Sequence, residues 1–169
     1  METKSIERLH LLHPICRDKA IQAYREAVKA TPAGVHPFVD QTYRSFEESL
    51  LDWKKGRNAA GVIINKSEVV SNAKPGFSWH NWSLALDFHL IIDNKDYWPA
   101  TAKEALANSY WMVVVNIFKQ HGFTSGLDFP GKFKDPPHLE YKGNYTLAKL
   151  QAKHKDGDFI SGTNFVNIT

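Results

Sequence analysis

The sequence holds a single cysteine, Cys16, in 169 residues. One thiol cannot close an internal disulfide, and without a Cys-x-x-Cys pair there is no thiolate metal site, so any metal must be held by His, Asp or Glu. Nothing approaches the roughly 18 consecutive apolar residues of a membrane span. The opening Met-Glu-Thr-Lys-Ser, followed by scattered charges, shows no cleavable signal, and the chain is expected to be made soluble. Lys and Arg outnumber Asp and Glu by 21 to 18, for a net charge of +3 and a pI near 8.9. These basic residues are dispersed rather than gathered in an arm or stripe, which speaks against a nucleic-acid partner. Repeats, low-complexity tracts and interdomain linkers are also absent. The length fits one domain over residues 1–169, with enough apolar residues for a core that needs no covalent help.

What is present reads as a mixture of helices and short strands. From Ile15 to Ala30, Ile21, Tyr24 and Val28 recur at spacings of three and four, which predicts an amphipathic helix ended by Thr31-Pro32 and Gly34. Val35 to Gln41 suits a strand. Ser45, with Glu48 three residues on, is placed to cap a helix that ends near Gly56. Residues 57 to 83 are rich in Gly, Ser, Asn and Pro and predict a long excursion, a kind of segment that is usually functional or disordered. Leu84 to Ile92 alternates, with Leu84, Leu86, Phe88 and Leu90 on one face and Ala85, Asp87 and His89 on the other, as in a strand with a polar working face. Thr101 to Gln120 predicts one long buried helix carrying Ala105, Leu106, Ser109, Met112, Val113, Asn116 and Ile117 inward, stopped at Gly122. Phe123–Gly126 and His138–Tyr141 read as short strands and Tyr145–Lys153 as a last helix. A tail from about residue 157 is expected to dock loosely.

A catalytic zinc takes three protein ligands and leaves a position for water. His80 closes the excursion, Asp87 stands on the polar face of the next strand, and His138 heads another short strand. Asp135 precedes His138 by three residues, with Pro136 and Pro137 stiffening the link. A carboxylate beside a metal, but not bound to it, can take a proton from the metal's water and pass it to a leaving amine. Spacing alone leaves a metal site and a set of ordinary polar residues both open.

The run Ser78-Trp79-His80-Asn81-Trp82-Ser83-Leu84-Ala85-Leu86-Asp87 resembles the Ser-x-His-x-x-Gly-x-Ala-x-Asp signature of the D-alanyl-D-alanine metallopeptidases. That family includes phage L-alanyl-D-glutamate endolysins and D-Ala-D-Ala dipeptidases and carboxypeptidases. Asp135-Pro136-Pro137-His138-Leu139-Glu140 resembles its second motif, and Thr42-Tyr43-Arg44-Ser45-Phe46-Glu47-Glu48 its upstream arginine motif. Gly56-Arg57 and Ala73-Lys74-Pro75-Gly76 fall between them in family order. The resemblance implies that His80, Asp87 and His138 bind Zn2+, that Asp135 is the general base, and that Arg44 steadies an oxyanion or a substrate carboxylate. It also implies an α+β fold whose small antiparallel sheet carries the zinc site with helices packed on its other face. The implied substrate is the stem peptide of bacterial peptidoglycan, cut between L-alanine and D-glutamate by a monomer acting on the cell wall. Release of terminal D-alanine is the alternative within the family, and a zinc-holding module that only binds wall peptides is the alternative outside catalysis. One departure stands out: the family's glycine between ligands is Ser83 here, which strains the turn if that position requires a positive φ.

Other residues have weaker claims. Glu140 shares a strand face with His138 and is expected to hold that imidazole, and His89 is placed to support the site or to be merely polar. Ser78, Trp79 and Trp82 flank His80 and are expected to touch substrate, although aromatic residues in such segments are as often packing. His10, His13, His36, His121 and His154 lack ligand partners at suggestive spacing and are read as structural, and Cys16 as a buried, inert thiol.

Overall fold

The computed structural model describes residues 2–168. The alternating segment after the excursion forms strand β2 (Ala85–Ile92), and the sheet is built around it. On one edge it pairs antiparallel with β1 (Val35–Gln41). On the other edge its first half pairs with β5 (His138–Glu140) and its second half with β3 (Lys95–Tyr97), while β4 (Thr124–Ser125) adds to β5. The path β1-β2-β5-β4 is thus antiparallel throughout. Leu86, Phe88 and Leu90 point from β2 into the core, as their alternation predicts, and Asp87 and His89 point the other way.

The helices are α1 (Glu2–Leu9), α2 (Pro14–Ala30), α3 (Phe46–Lys54), α4 (Ala102–Ala107), α5 (Ser109–Gln120) and α6 (Leu147–Lys155). Trp111 of α5 stacks on Phe88 with centroids 4.3 Å apart, fixing that helix to the apolar face of the sheet. Side chains of α1 tie it to the backbone of β1, where Ser5 Oγ accepts the Val39 amide at 3.0 Å and Arg8 donates to the Val39 carbonyl at 2.7 Å. The expected capping box starts α3: Ser45 Oγ accepts from the Glu48 amide and the Glu48 carboxylate accepts from the Ser45 amide.

Two expectations are corrected. The helix read from Thr101 to Gln120 is two helices broken at Asn108, whose φ of −88° and ψ of 108° are extended. Asn108 ends α4 and caps α5, its side chain accepting the Trp111 amide at 3.0 Å, which is what asparagine does better than continuing a helix. The break shifts the helical phase. The buried face of α5 is Trp111, Val114, Val115 and Phe118 rather than Met112, Val113 and Ile117, and Leu106 lies exposed on α4. The segment from residue 157, expected to dock loosely, is held instead by buried Val166 and Ile168. A Phe159–Val166 bridge closes it on itself, and the Val166 carbonyl contacts His13 Nε2 at 2.9 Å.

Candidate metal centre

Asp87 and His138 stand directly opposite each other across the β2–β5 ladder, so their side chains leave the same face of the sheet side by side. Ala85 opposite Glu140 is the next pair on that face, and the small alanine leaves room for the Glu140 carboxylate beside the imidazole. His80 arrives from a 3-10 turn over Trp79–Trp82, which Ser78 caps through its hydroxyl. Ser83 ends that turn in the left-handed region, at φ 57° and ψ 31°, and lets the chain enter β2. The family's glycine position therefore does require a positive φ, and serine occupies it with strain.

Three ligand atoms converge. His80 Nε2 lies 3.2 Å from His138 Nδ1 and 3.3 Å from Asp87 Oδ1, and the third edge, His138 Nδ1 to Asp87 Oδ1, is 3.1 Å. Tetrahedral zinc, with nitrogen and oxygen ligands about 2.0–2.1 Å away, sets ligand atoms roughly 3.3 Å apart. The triangle has that size. Among the described residues these three form the one cluster of His, Cys, Asp or Glu able to hold a metal.

The tautomers also fit a cation. His80 Nδ1 is 2.7 Å from the Thr42 carbonyl, which can only accept, so the proton is on Nδ1 and the Nε2 lone pair faces the centre. His138 Nε2 donates to Glu140 Oε2 at 3.0 Å, which turns its Nδ1 inward. Two lone pairs and a carboxylate oxygen at these separations repel unless a positive charge lies among them. The titration behaviour agrees. Burial works against a charged Asp87, but His80 and His138 outweigh it and hold the carboxyl far below its usual range. Burial likewise opposes a charged His138, yet Asp87 and Glu140 lift it to about 9, and the chain alone recruits a proton to the place a metal would neutralise.

Asp135 lies over this cluster. It starts a turn in which the His138 amide donates to the Asp135 carbonyl at 3.2 Å, and both bonds to Pro136 and Pro137 are trans. Burial pushes the Asp135 carboxyl up and Asp87 adds to the shift, while His138, His80 and Arg44 oppose it. Arg44 lines the same cleft, donating to Gln41 Oε1 and lying 3.8 Å from Asp52 Oδ2, with its buried Nε lacking a hydrogen-bond partner. The guanidinium thus retains spare donor capacity. The cleft over the cluster measures about 670 Å³ and is walled by Trp79, Phe77, Phe129 and Phe133.

Glu140 stands where it was expected, held also by Lys142 at 2.7 Å, and Ser78 and Trp79 line the metal cleft. For His89 and Trp82, where two readings were open, the structure favours the plainer one. His89, two residues beyond Asp87 and so roughly 7 Å along the strand, stacks on Trp98 at 4.5 Å and faces Asp96 at 3.4 Å. Its partners belong to the far end of the sheet, and it supports no ligand. Trp82 turns away from the metal cleft, donating its indole N–H to the Gly76 carbonyl and packing edge-on against Phe46 and His154. Sequence reading missed the Thr42 carbonyl, which no residue type announces, and the Phe129/Phe133 wall, whose signal was two aromatic residues just before Asp135.

Residues 71–141 match the family described as D-alanyl-D-alanine carboxypeptidase. Over 133 residues the chain is 37% identical to the peptidoglycan L-alanyl-D-glutamate endopeptidase CwlK of Bacillus subtilis, an alignment covering 76% of this chain and 72% of that protein. The chain belongs to the D-alanyl-D-alanine metallopeptidase family. Its fold is also that of the L-Ala D-Glu endopeptidase ChiX of Serratia marcescens, at 16% identity and a TM-score of 0.54 over 83% of this chain and 88% of that one. The LdcB LD-carboxypeptidase, at 18% identity, superposes with a TM-score of 0.55 over 85% of this chain and 64% of its own. Within the matched residues of this metallopeptidase family lie His80, Asp87 and His138, the three side chains of the candidate metal cluster. No helix among the described residues is long and apolar enough to cross a membrane.

Proposed function

We propose that the protein is a zinc-dependent endopeptidase that hydrolyses the bond between L-alanine and D-glutamate in peptidoglycan stem peptides, acting as a monomer on the cell wall. The observation that carries the chemistry is the triangle His80–Asp87–His138, with edges of 3.1 to 3.3 Å and both imidazoles locked with their lone pairs inward. The likeness to CwlK supports the choice of bond. His80, Asp87 and His138 would hold Zn2+, which would supply Lewis acidity toward the scissile carbonyl and toward the proton of an attacking water. Asp135, whose burial raises its affinity for a proton, takes that proton and delivers it to the leaving amine. Arg44, which lines the same cleft, supplies a fixed positive charge toward the oxygen that gains charge. Thr42 and Glu140 keep the two imidazoles from rotating out of position.

Incubation of the zinc-loaded protein with intact peptidoglycan tests this reading. New N-terminal D-glutamate is expected. Free D-alanine alone would select the carboxypeptidase activity instead, and the appearance of neither product would leave only a wall-peptide-binding role.

A further inference from the structure

Two short segments divide the molecule into two clefts. Along Tyr43-Arg44 and Trp79–Ser83 the residues face alternate sides: Arg44, Trp79 and His80 line the metal cleft, while Tyr43, Asn81, Trp82 and Ser83 line a second cleft of about 600 Å³. The rest of the second cleft comes from the α1–α2 connection, Arg17 of α2, Phe46 of α3, His154 of α6 and the C-terminal turn from Phe159 to Val166. The peptidase reaction uses none of these latter groups.

The second cleft is floored by rings. Trp82 packs edge-on against Phe46 at 5.4 Å and against His154 at 5.8 Å, and His154 against Phe159 at 5.4 Å. Farther along, the Arg17 guanidinium lies 5.6 Å from the Phe165 ring centre and donates through Nε to the Leu12 carbonyl. Tyr43, with its hydroxyl, and Leu11, 47% and 53% exposed, stand free at the lining, as does the exposed amide of Asn164 in the C-terminal turn, whereas the Thr163 hydroxyl is spent on the Ile160 carbonyl and the Phe165 amide. No lining residue is acidic. A cationic ligand therefore finds no counter-charge, and a phosphate-like anion finds one guanidinium that is already engaged. A purely apolar ligand would cover the Asn164 amide without satisfying it. Ring faces combined with neutral amide and hydroxyl groups suit an N-acetylated amino sugar, whose C–H faces lie on aromatic rings and whose acetamido and hydroxyl groups need neutral partners.

The geometry points to a glycan-binding subsite in this second cleft, specific for a strand of N-acetylated hexosamines. The inference rests on the proposed wall-peptidase function, since stem peptides hang from such strands and the two clefts share a wall only two short segments wide. One polymer can then engage both, with the peptide over the metal and the sugar chain behind Tyr43. Holding the strand raises the local concentration of stem peptides at the metal without touching the chemistry.

The test is calorimetric titration of the zinc-loaded protein with the tetramer of N-acetylglucosamine, which carries no peptide. Saturable binding with a Kd on the order of 1 mM is expected. Tyr43→Ala and Leu11→Glu, both at exposed side chains, should each weaken it about fivefold or more. Neither should alter the melting temperature or the rate on a sugar-free stem peptide, and both should raise KM on intact peptidoglycan. Absence of binding up to about 10 mM, or binding indifferent to both substitutions, overturns the subsite. The two readings fail separately. A protein that cleaves the free peptide but ignores the sugar loses the subsite alone, and one that binds the sugar but never cleaves the peptide loses the peptidase function.

Discussion

Gly126 and Asp135 meet backbone to backbone: the Gly126 carbonyl accepts the Asp135 amide at 3.2 Å, and a Cβ on Gly126 would fall 2.1 Å from the Asp135 carbonyl oxygen. The obstacle is spatial, because Gly126 does not have a positive φ. Gly126→Ala must therefore push the 135–138 turn outward, moving the carboxyl over the metal cluster while β5 remains paired. We expect the variant to keep its zinc and to lose roughly ten- to a hundredfold in kcat, the scale of a displacement near 1 Å. Zinc content and kcat measured on the same preparation check this, and wild-type turnover would show that the position of Asp135 is immaterial.

How much of this was legible beforehand depended on the kind of signal. The alternation of Leu84 to Ile92 and the Ser45/Glu48 capping box are local patterns, and both appear as read. Asp87, His138 and Asp135 could be named from motifs, but the pairing of Asp87 with His138 is a register between strands 51 residues apart, which no local pattern encodes. The long helix was misread because hydrophobic spacing runs unbroken past Asn108, whereas the side chain of Asn108 competes for the backbone. For Trp82 the sequence left substrate contact and packing equally open, and only the tertiary partners Phe46 and His154, remote in sequence, decide for packing.

Ser83 occupies a left-handed position with its residue buried and its amide bonded to the His80 carbonyl. Replacing it by glycine relieves a left-handed cost of about 1–2 kcal/mol, partly offset by the extra freedom glycine gains in the unfolded chain. Ser83→Gly should therefore raise the denaturation midpoint by the equivalent of about 1 kcal/mol with zinc affinity unchanged. Destabilisation would mean that the hydroxyl makes an interaction worth more than the strain.

His13 clasps the C-terminal turn, with Nε2 on the Val166 carbonyl and Nδ1 accepting the Ile15 amide. Burial pushes its imidazole below the usual value, and nearby Arg17 adds to this. The unfolded chain then binds the proton more readily than the folded one near pH 6.5. The stability gained from neutral His13 is full above that pH and is lost as pH falls through it. Denaturation midpoints at about pH 5 and pH 7.5, compared between wild type and His13→Asn, should show a smaller pH dependence in the variant. Asparagine keeps a helix cap but does not titrate. Equal pH slopes would remove His13 from the acid response.

Metal removal should be felt as lost stability, because a ligand that binds only the folded state adds to it by mass action. Chelation is expected to lower the melting temperature of the wild type and to leave His80→Ala and His138→Ala almost unaffected, since neither retains a full set of ligands. Elemental analysis should find close to one zinc per wild-type chain. Full zinc occupancy in both variants would exclude the assigned ligands.

Asp135 and Glu140 are both carboxylates beside His138, and the structure separates their tasks. Glu140 is buried, bonded to His138 Nε2 at 3.0 Å and to Lys142 at 2.7 Å, and its carboxyl is held low: burial opposes ionisation, but His138 and Lys142 prevail. A carboxylate so engaged cannot shuttle a proton, but it can hold an imidazole. Burial raises the Asp135 carboxyl instead, moving it toward the range useful to a base. Asp135→Asn should keep its zinc and lose about a hundredfold or more in kcat. Glu140→Gln should weaken zinc binding by about ten- to a hundredfold, and saturating zinc should restore much of its activity. Competition with a chromogenic chelator and kcat measured in excess zinc distinguish the two. If excess zinc rescues Asp135→Asn and not Glu140→Gln, the two roles must be exchanged.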